Sequence, residues 1–423
     1  MLSDKGFTIT RKEAERLDYI IVHYLFESET EPEKAAILLA KEQSLSQWPG
    51  SGTRGDEIIR TNAAKVVEGE TETLETDGKT HRAKAKIAFP SSNIEGNIAA
   101  LVNNMGGDTH AIAMFKALRI EDVEFTPEFL QNYSGPTYGI DGLRRLLDAH
   151  ERPLFCGPVK PCVGLTPDEF AKQAYEAASG GLDIIKDDEL IVDPPYCPFE
   201  ERVKKTVRAV REAEQKTGKR KIYVAHIGGA ADKIEHLYER AKQLGADAVM
   251  FDPAINGVDI ISRYSKRGEL AILSHNAFMF ASTRAHDFGM SLSLWSKLQR
   301  ICGADVIITT ARHGVFGCMN DEQNQRNIRA CLDDMMGVKK NWVALAGSQG
   351  ADTLPIQHRY VGSPDFILVS GYKVYGHPLG PAAGAKSLVQ AWEAIRQGIK
   401  LEDYTKEHQE LKLAIEQAGR VLY

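Results

Sequence analysis

Residues 180–190 read GGLDIIKDDEL, an apolar run that ends in Lys186, Asp187, Asp188 and Glu189. The apolar part is typical of a strand buried in a parallel sheet. Four charged residues at the end of such a strand lose hydration energy unless they pair, reach water or hold an ion. This stretch therefore indicates both a buried sheet and a polar site at its end.

Seven further apolar runs follow the same pattern, and helix-like segments separate them. One such segment follows Thr166, and two others end at Gly218 and Gly245. The seven runs are RPLFCGPVKP (152–161), KIYVAHI (221–227), DAVMFDPA (247–254), LAILSHN (270–276), DVIITTA (305–311), WVALAGS (342–348) and FILVSGY (366–372). Alternating strands and helices indicate a parallel sheet, and eight repeats predict a closed (β/α)8 barrel of the TIM type.

The N-terminal part of the chain has a different pattern. RLDYIIVHYLFES (16–28) predicts a strand, EPEKAAILLAKEQS (31–44) a helix, and HRAKAKIAFP (81–90) a second strand after a long irregular connection. We predict an α+β domain of ferredoxin-like type over 1–145 and the barrel over 146–423. The last segment, LEDYTKEHQELKLAIEQAG (401–419), is predicted to be one helix on the outside.

Composition excludes several classes of protein. The 423 residues are 43% hydrophobic with a net charge of −6, and no basic run interleaved with aromatic residues suggests nucleic acid as a partner. The N-terminus lacks the apolar core of a signal peptide, and no apolar stretch reaches the roughly 18 residues needed to span a membrane. The six cysteines form no C-x-x-C pair, which predicts free thiols and a cytoplasmic location.

The predicted strand ends carry the residues that could perform chemistry. Active sites of such barrels lie at the C-terminal ends of the strands, where Lys160, Lys186, Asp188, Glu189 and His275 fall. Two carboxylates suffice to recruit a hard divalent cation such as Mg²⁺. The alternative is a salt-bridge cluster that closes the strand, and spacing alone leaves both interpretations open.

The remaining candidates suggest a base and an anion site. Lys160 would act as a base if burial or a nearby cation lowers its pKa, and would otherwise be a solvated loop residue. His275 is either catalytic or only hydrogen-bonded. Gly347, Ser348 and Gly371 follow the seventh and eighth strands, where barrels commonly bind phosphate. Together these residues predict a metal and a phosphate at one barrel mouth.

Several segments carry a resemblance to a known family. GGLDIIKDDE, VKPCVGLTPDEFA (159–171), FKALRIEDVEF (115–125), KLQRICGAD (297–305) and GHPLGPAAGAKS (376–387) resemble the RuBisCO large-subunit superfamily over nearly the whole chain. The C-terminal part and KEQSLSQW (41–48) are most similar to the RuBisCO-like proteins, the form IV branch that does not fix carbon.

The resemblance implies a role for each matched residue. Lys186 would be carbamylated by CO₂, and the carbamate would bind Mg²⁺ with Asp188 and Glu189. Lys160 would be the base that removes a proton to form an enediolate, next to a carbonyl polarised by the metal. Asp187 would be a neighbour of the metal site and not a ligand.

Departures from the RuBisCO pattern make carboxylation of ribulose bisphosphate an unexpected activity. Cys162 stands where RuBisCO has a second lysine, Asn276 replaces an arginine and Ile308 a histidine. TARHGVFGC (310–318) lacks the lysine of the mobile loop, with Arg312 or His313 as partial substitutes. Tyr372 and Lys373 replace glycines of one phosphate site, which predicts one phosphate or a different anion.

The N-terminal domain is implied to complete the site of a second copy. By resemblance, Glu42 and Asp108 would reach into the partner's barrel mouth, and Trp48 would lie at its edge, so a homodimer is expected. Ordinary packing is the alternative for Trp48. Asp108 also departs from the family, since RuBisCO has asparagine there and the enolases of methionine salvage have lysine.

Three functional hypotheses follow. The first is Mg²⁺-dependent enolisation of a small phosphorylated sugar-like carbonyl compound by an isomerase or enolase, with methylthio-sugar salvage compounds as the leading substrate class. The second uses the same enolate in a decarboxylase, transcarboxylase or hydrolase of a 3-keto sugar acid phosphate. The third is a barrel that binds or regulates without catalysis.

Overall fold

A computed structural model describes residues 6–46, 48, 52–313 and 321–418. The chain forms two compact units, the first from residues 1–133 and 279–298 and the second from 134–278 and 299–423. The N-terminal segment of the first unit ends at residue 133, 12 residues before the predicted domain boundary at 145. The prediction did not include residues 279–298 in the first domain. The domain boundary itself, as the limit of independent folding, stays a prediction.

The described residues of the N-terminal segment of the first unit form five strands and five helices. The strands are β1 (Thr8–Ile9), β2 (Tyr19–Ser28), β3 (Lys65–Thr76), β4 (His81–Pro90) and β5 (Phe115–Glu124). The helices are α1 (Arg11–Arg16), α2 (Pro32–Glu42), α3 (Gly52–Asn62), α4 (Ile98–Gly106) and α5 (Pro127–Leu130), with single 3₁₀ turns at Ser91–Asn93 and Thr109–Ala111.

The rest of the chain contains the barrel and a short return to the first unit. The strands are β6 (Leu154–Pro158), β7 (Ile184–Lys186), β8 (Ile222–His226), β9 (Ala248–Phe251), β10 (Ala271–His275), β11 (Phe288–Met290), β12 (Val306–Thr310), β13 (Trp342–Ala346) and β14 (Phe366–Val369). The first helices are α6 (Gly139–Leu147), α7 (Pro167–Gly180), α8 (Phe199–Thr217), α9 (Ala231–Gln243), α10 (Pro253–Asn256), α11 (Ile260–Ser265) and α12 (Phe280–Thr283). The later helices are α13 (Leu292–Cys302), α14 (Asp321–Leu332), α15 (Leu354–Val361), α16 (Tyr372–Tyr375), α17 (Pro381–Gln397), α18 (Leu401–Tyr404) and α19 (Gln409–Ala418).

The first unit is built on a mixed sheet with the strand order β1-β3-β4-β2-β5-β11. The predicted strands at 16–28 and 81–90 and the helix between them are confirmed as β2, β4 and α2. The predicted irregular connection before residue 81 is wrong, because α3 and β3 occupy it. β3 was not predicted because most of its residues after Val67 are polar and at least partly exposed, so no alternating apolar pattern marks it. β3 is instead defined by its pairing with β4.

The second unit is a closed barrel of eight parallel strands in the order β10-β12-β13-β14-β6-β7-β8-β9. Each of the eight predicted apolar runs contains one of these strands, so the (β/α)8 prediction is confirmed. Residues two apart on the strands fill the interior, as the alternation of side chains requires. Examples from this core are Leu154 and Cys156, Ile222 and Val224, Ala248 and Met250, and Val306 and Ile308.

Local signals fix the ends of the barrel helices. Thr166 caps α7 with a full capping box, in which its hydroxyl accepts from the backbone N–H of Glu169. Gly218 ends α8 in the left-handed conformation that glycine adopts without strain. The predicted single C-terminal helix is wrong, because a turn at 405–408 separates α18 from α19. The Thr405 hydroxyl donates to the carbonyl of Glu402 at 2.7 Å, a local bond that competes with helix continuation.

A membrane-spanning segment is not present among the described helices, since none is both long and apolar enough to cross a bilayer.

Candidate active site

The C-terminal strand ends of the barrel bring together polar residues from five neighbouring strands. Lys186, His226 and His275 are the last residues of β7, β8 and β10. Asp252 directly follows β9, and Lys160 lies two residues beyond β6. Because parallel strands end at the same rim, these side chains meet at one mouth.

A buried network around Asp187 fixes the backbone of the charged stretch. The carboxylate of Asp187 accepts from Arg202 at 3.1 and 3.2 Å, from the Tyr223 hydroxyl at 2.7 Å and from the His226 backbone N–H at 3.0 Å. Both side chains of the Asp187–Arg202 ion pair are fully buried. The carboxylate of Asp187 is thus satisfied by hydrogen bonds within the protein. In an extended backbone, neighbouring side chains alternate, so Lys186 and Asp188 point away from the side on which Asp187 lies.

Lys186 and Glu189 form the first of two ion pairs in the cluster. Lys186 is 1% exposed as a residue. Its ammonium donates to the backbone carbonyl of Asp187 at 2.7 Å and lies 3.4 Å from Glu189 Oε2. Burial raises the pKa of Glu189, but neighbouring charges, first that of Lys186, outweigh burial and lower the pKa to about 2. Glu189 is therefore a carboxylate at neutral pH.

Lys160 and Asp188 form the second ion pair of the cluster. The Lys160 ammonium makes a short ion pair with Asp188 Oδ2 and lies 2.9 Å from Cys162 Sγ. Burial lowers the pKa of Lys160, but hydrogen bonds to Asp188 and Cys162 outweigh it and raise the pKa above its ordinary value. Lys160 therefore lacks the lowered pKa that the interpretation as a base required, because its partner is an anion. A base at this position has to lose the Asp188 contact first.

The donor set fits a hard divalent cation in its chemistry but lacks a third ligand in the unmodified chain. Among the described residues, no three His, Cys, Asp or Glu side chains are grouped so that they could hold a metal ion. Asp188 and Glu189 offer carboxylate oxygens, the ligands that Mg²⁺ prefers. The buried amine of Lys186, 3.4 Å from Glu189, is placed to supply the third oxygen donor if it carries a carbamate.

The predicted anion-binding glycines lie after β13 and β14, as the sequence indicated. Gly347 and Ser348 both have positive φ angles, of 100° and 54°, a strained conformation for serine that is often found at functional sites. Gly371 packs against the base candidate, since a β-carbon at this position would lie 3.0 Å from Lys160 Cε. Lys373 is paired with Asp352 at 2.7 Å, so its charge is already compensated.

Departures from the RuBisCO pattern are structural in this chain. The Asn276 amide donates to the Ile308 carbonyl at 2.8 Å and accepts from Gln299 at 3.1 Å, which ties β10 to β12. Ile308 is 4% exposed and belongs to the barrel core. Arg312 pairs with Asp321 at 3.0 Å. The remainder of the segment that lacks the loop lysine, 314–318, lies outside the described residues.

The candidates of the N-terminal part lie in the first unit. Glu42 ends α2, and Asp108 precedes the 3₁₀ turn at Thr109–Ala111. Their segments approach each other, since a β-carbon on Gly107 would lie 2.7 Å from Gln43 Oε1. Trp48 is 41% exposed, which argues against the packing alternative within this unit. The residues next to Glu42 and Asp108, Gln43 and Gly107, are thus neighbours in the first unit.

Sequence reasoning missed three residues at the mouth. His226 and Asp252 form a buried pair, with Nε2 and Oδ2 2.8 Å apart, and Arg202 holds Asp187 from α8. The sequence did contain one signal for His226 and Asp252, since both stand at the ends of predicted barrel strands, the third and the fourth. Arg202 gave no comparable signal, since it lies in a charged helix where arginine is usually solvated.

The exposure of Cys162, next to Lys160, gives a prediction that can be tested by thiol labelling. Cys162 is partly exposed, whereas Cys156, Cys197, Cys302 and Cys331 are buried. Burial raises the pKa of Cys156 and of Cys331 to about 12, which suppresses their reactivity. In a Cys318→Ser background, we expect iodoacetamide to alkylate one thiol per chain rapidly, counted by mass spectrometry, and Cys162→Ser to abolish that reaction. Rapid alkylation that persists without Cys162 would contradict the described burial.

Two family models match the chain, one in its N-terminal part and one over most of the rest. The catalytic-domain family "Ribulose bisphosphate carboxylase large chain, catalytic domain" matches residues 139–418, and the corresponding N-terminal domain matches residues 10–129. The chain belongs to the RuBisCO large-chain family. The resemblance drawn from the sequence is thereby confirmed.

Relatives of this RuBisCO family member include both carboxylases and RuBisCO-like proteins. A "Ribulose bisphosphate carboxylase-like protein" of Chlorobaculum thiosulfatiphilum is 36% identical, with 98% of each chain covered. A "Ribulose bisphosphate carboxylase" of Pyrococcus furiosus is 34% identical, covering 95% of this chain and 94% of the relative. Overall identity therefore does not separate the two activities, and the separation has to come from the site residues.

Solved structures show the same two groups. The octameric RuBisCO of Pyrococcus horikoshii OT3, crystallised with sulfate ion, has a TM-score of 0.88 at 31% identity, covering 96% of this chain and 95% of its own. A rubisco-like protein (MtnW) from Alicyclobacillus acidocaldarius has a TM-score of 0.86 at 26% identity, covering 95% of this chain and 100% of its own. The RuBisCO fold accommodates the whole described chain.

Proposed function

We propose that this RuBisCO family member is an Mg²⁺-dependent enzyme that enolises a small phosphorylated sugar-like carbonyl compound and does not fix CO₂ on ribulose bisphosphate. The observation that carries the proposal is the contact of Lys160 with Asp188, beside Lys186 and Glu189, at one barrel mouth. A base next to a cation-binding carboxylate pair is the arrangement that proton abstraction beside a carbonyl requires.

The proposed metal site consists of Asp188, Glu189 and a carbamylated Lys186. A divalent cation bound there would polarise the substrate carbonyl and stabilise the oxyanion that forms. Asp188 has a second effect, because it is the carboxylate that raises the pKa of Lys160. Withdrawing its Oδ2 from Lys160 makes the amine a stronger candidate for the base.

The proposal that the protein does not carboxylate is supported by residues that differ from those of RuBisCO. Cys162 provides a thiol where RuBisCO has its second lysine. Asn276 is hydrogen-bonded to the Ile308 carbonyl of the barrel wall. Ile308 is an apolar core residue. The site therefore lacks cationic groups at these three positions, which supports a substrate with one phosphate, bound near Gly347, Ser348 and Gly371.

We also propose a homodimer in which Glu42 and Asp108 of one copy reach the barrel mouth of another, with Trp48 near its edge. In support of this, Gln43 and Gly107, the neighbours of Glu42 and Asp108 along the chain, lie close together, and Trp48 is exposed. The free described thiols fit a cytoplasmic protein.

The experiment is proton NMR in D₂O with Mg²⁺ and bicarbonate, over a panel of methylthio-sugar phosphates, 2-ketose phosphates and 3-keto acid phosphates. We expect exchange of one carbon-bound proton for deuterium, at least 100-fold slower in Lys160→Ala, because the base is removed. Lys172→Ala, at an exposed site of α7, is the matched control and should leave the rate unchanged.

Other outcomes separate the alternatives. Decarboxylation of a 3-keto acid phosphate, with loss of the same activity in Lys160→Ala, would favour a decarboxylase. Incorporation of ¹³C-bicarbonate into a product of ribulose bisphosphate would overturn the statement that the protein does not carboxylate. Absence of every reaction despite tight Mg²⁺ binding would favour a binding or regulatory barrel.

A further inference from the structure

The loop after β13 is held by the side chain of one of its own residues. Gln349 is 1% exposed, and its Nε2 donates to the carbonyls of Gly347 and His313, each at 2.5 Å. A carbonyl oxygen only accepts, so the nitrogen of the amide has to face these two groups. The Oε1 atom of Gln349 accepts from Gln357 Nε2 at 3.0 Å. Both amide hydrogens and the amide oxygen of Gln349 are therefore paired within the protein.

The same contacts tie Gln349 to the ends of two neighbouring strands. His313 follows β12, and the backbone N–H of Arg312, next to it, donates to Gln357 Oε1 at 3.2 Å. Gln357, on α15, is fully buried. From the end of β14, the Ser370 hydroxyl donates to the backbone carbonyl of Gln349 at 2.8 Å. Buried hydrogen bonds thus fix the loop after β13 to the ends of both strands that flank β13.

The backbone that the Gln349 side chain spans has an unfavourable conformation. Gly347 and Ser348 have φ angles of 100° and 54°. Glycine adopts positive φ without strain, whereas for serine the left-handed conformation is uncommon and costs free energy. The hydrogen bond from the Gln349 side chain to the Gly347 carbonyl closes a ring that contains Ser348. This bond therefore restrains Ser348 to a conformation that serine does not favour by itself.

The restrained loop carries two adjacent backbone donors without a partner in the described part of the chain. The N–H groups of Ser348 and Gln349 have no acceptor among the described residues. Backbone N–H groups need an acceptor when they are buried, and successive N–H groups of a loop are a common binding site for phosphate. The relative direction of these two N–H groups is set by the backbone angles of Ser348, because those angles separate the two peptide planes.

We propose that Gln349 is a positioning residue that holds Ser348 in its left-handed conformation, so that the N–H groups of Ser348 and Gln349 point together at a phosphate group of the substrate. The proposal rests on the proposed phosphate site near Gly347, Ser348 and Gly371 and deepens it. Gln349 acts through the backbone, because its side-chain amide is fully used in contacts within the protein.

The first test is a titration of the full chain with inorganic phosphate, without Mg²⁺, followed by ³¹P NMR. Gln349→Met keeps the length of the side chain but removes its hydrogen-bond donors. We expect this variant to raise the Kd of phosphate by about 5- to 30-fold, because Ser348 relaxes and the two N–H groups no longer point together. Unchanged affinity in Gln349→Met would overturn the proposal and leave the phosphate site intact. Absence of phosphate binding by the wild type would overturn both.

A matched control exists on α17. Gln397 is exposed, and its amide donates to Glu393 at 2.9 Å. Gln397→Met should leave the Kd of phosphate within about twofold of wild type.

The exchange assay separates a role in phosphate binding from a role in chemistry. Gln349→Met should raise the KM of a phosphorylated substrate, while the saturated exchange rate changes less than about threefold, because Lys160 and the proposed metal ligands are untouched. A lower saturated rate at unchanged KM would overturn the assignment of Gln349 to the phosphate site.

Ser348→Gly distinguishes positioning from general packing. Glycine adopts positive φ without support, so Ser348→Gly in the Gln349→Met background should recover about threefold or more of the lost phosphate affinity. Failure to recover any affinity would contradict the role of Gln349 in holding Ser348.

The last test needs no ligand and therefore stays informative if enolisation or phosphate binding is not found. In thermal unfolding, Ser348→Gly is expected to raise the Tm of the wild type by about 1–2 °C, because it removes the strain at this position. In the Gln349→Met background, where Ser348 is free to relax, the same substitution should give no gain. Equal gains in both backgrounds would overturn the proposal, whatever binds to the loop.

Discussion

Replacing Arg202 by methionine is expected to lower the free energy of unfolding by about 3–5 kcal/mol, because it leaves the carboxylate of Asp187 as an uncompensated buried charge. Both side chains of the pair are fully buried, so water does not replace the lost partner. Arg202 also donates to the carbonyls of Val192 at 2.7 Å and Cys197 at 3.0 Å, which then lose a donor. Urea unfolding of the full chain, followed by circular dichroism, measures the effect.

The control for this prediction lies on the same helix. Arg208 has a side chain that is 83% exposed and pairs only with Glu212 at 2.9 Å. Arg208→Met should change the unfolding free energy by less than about 0.5 kcal/mol. The double variant Asp187→Asn with Arg202→Met should recover part of the loss, since no buried charge remains. Equal stability of Arg202→Met and wild type would contradict the assignment of Asp187 and Arg202 as a buried ion pair.

Replacing Asp188 by asparagine is expected to lower deuterium exchange by about 10²–10⁴-fold and to weaken Mg²⁺ binding. The expected loss of exchange is informative because the Asp188 carboxylate raises the pKa of Lys160. Removing this carboxylate makes Lys160 easier to deprotonate, which by itself would favour exchange. A loss of activity in spite of a freer base would point to the carboxylate as a cation ligand. Isothermal titration with Mg²⁺ and the NMR exchange assay measure the two effects on the same variant.

Asp168 offers the matched substitution for Asp188. Its side chain is 81% exposed on α7, with Lys205 at 2.9 Å, so Asp168→Asn should leave both cation binding and exchange as in wild type. Exchange in Asp188→Asn within tenfold of wild type, with unaltered Mg²⁺ affinity, would refute the metal role of Asp188. Unaltered affinity with strongly reduced exchange would instead leave Asp188 as the partner of Lys160 alone.

Much of the site was predictable from the sequence because strand ends are encoded locally. An apolar run followed by charges locates Lys186, Asp188 and Glu189 at the mouth, and the same pattern locates Lys160 and His275. The contact between Lys160 and Asp188 was not predictable from spacing, since the two residues follow different strands, β6 and β7. This contact raises the pKa of Lys160, whereas a base role had been expected only if burial or a nearby cation lowered it.

By itself, the sequence determined the (β/α)8 barrel, because eight apolar runs, the Thr166 cap and the glycine after α8 are signals read within a few residues. Only the tertiary structure decided that β11 joins the sheet of the first unit, that polar β3 is a strand, and that His226 and Asp252 pair behind His275. Strand pairing and buried hydrogen bonds depend on which distant segments meet, and that is set by packing of the whole chain, which no local pattern of residues contains.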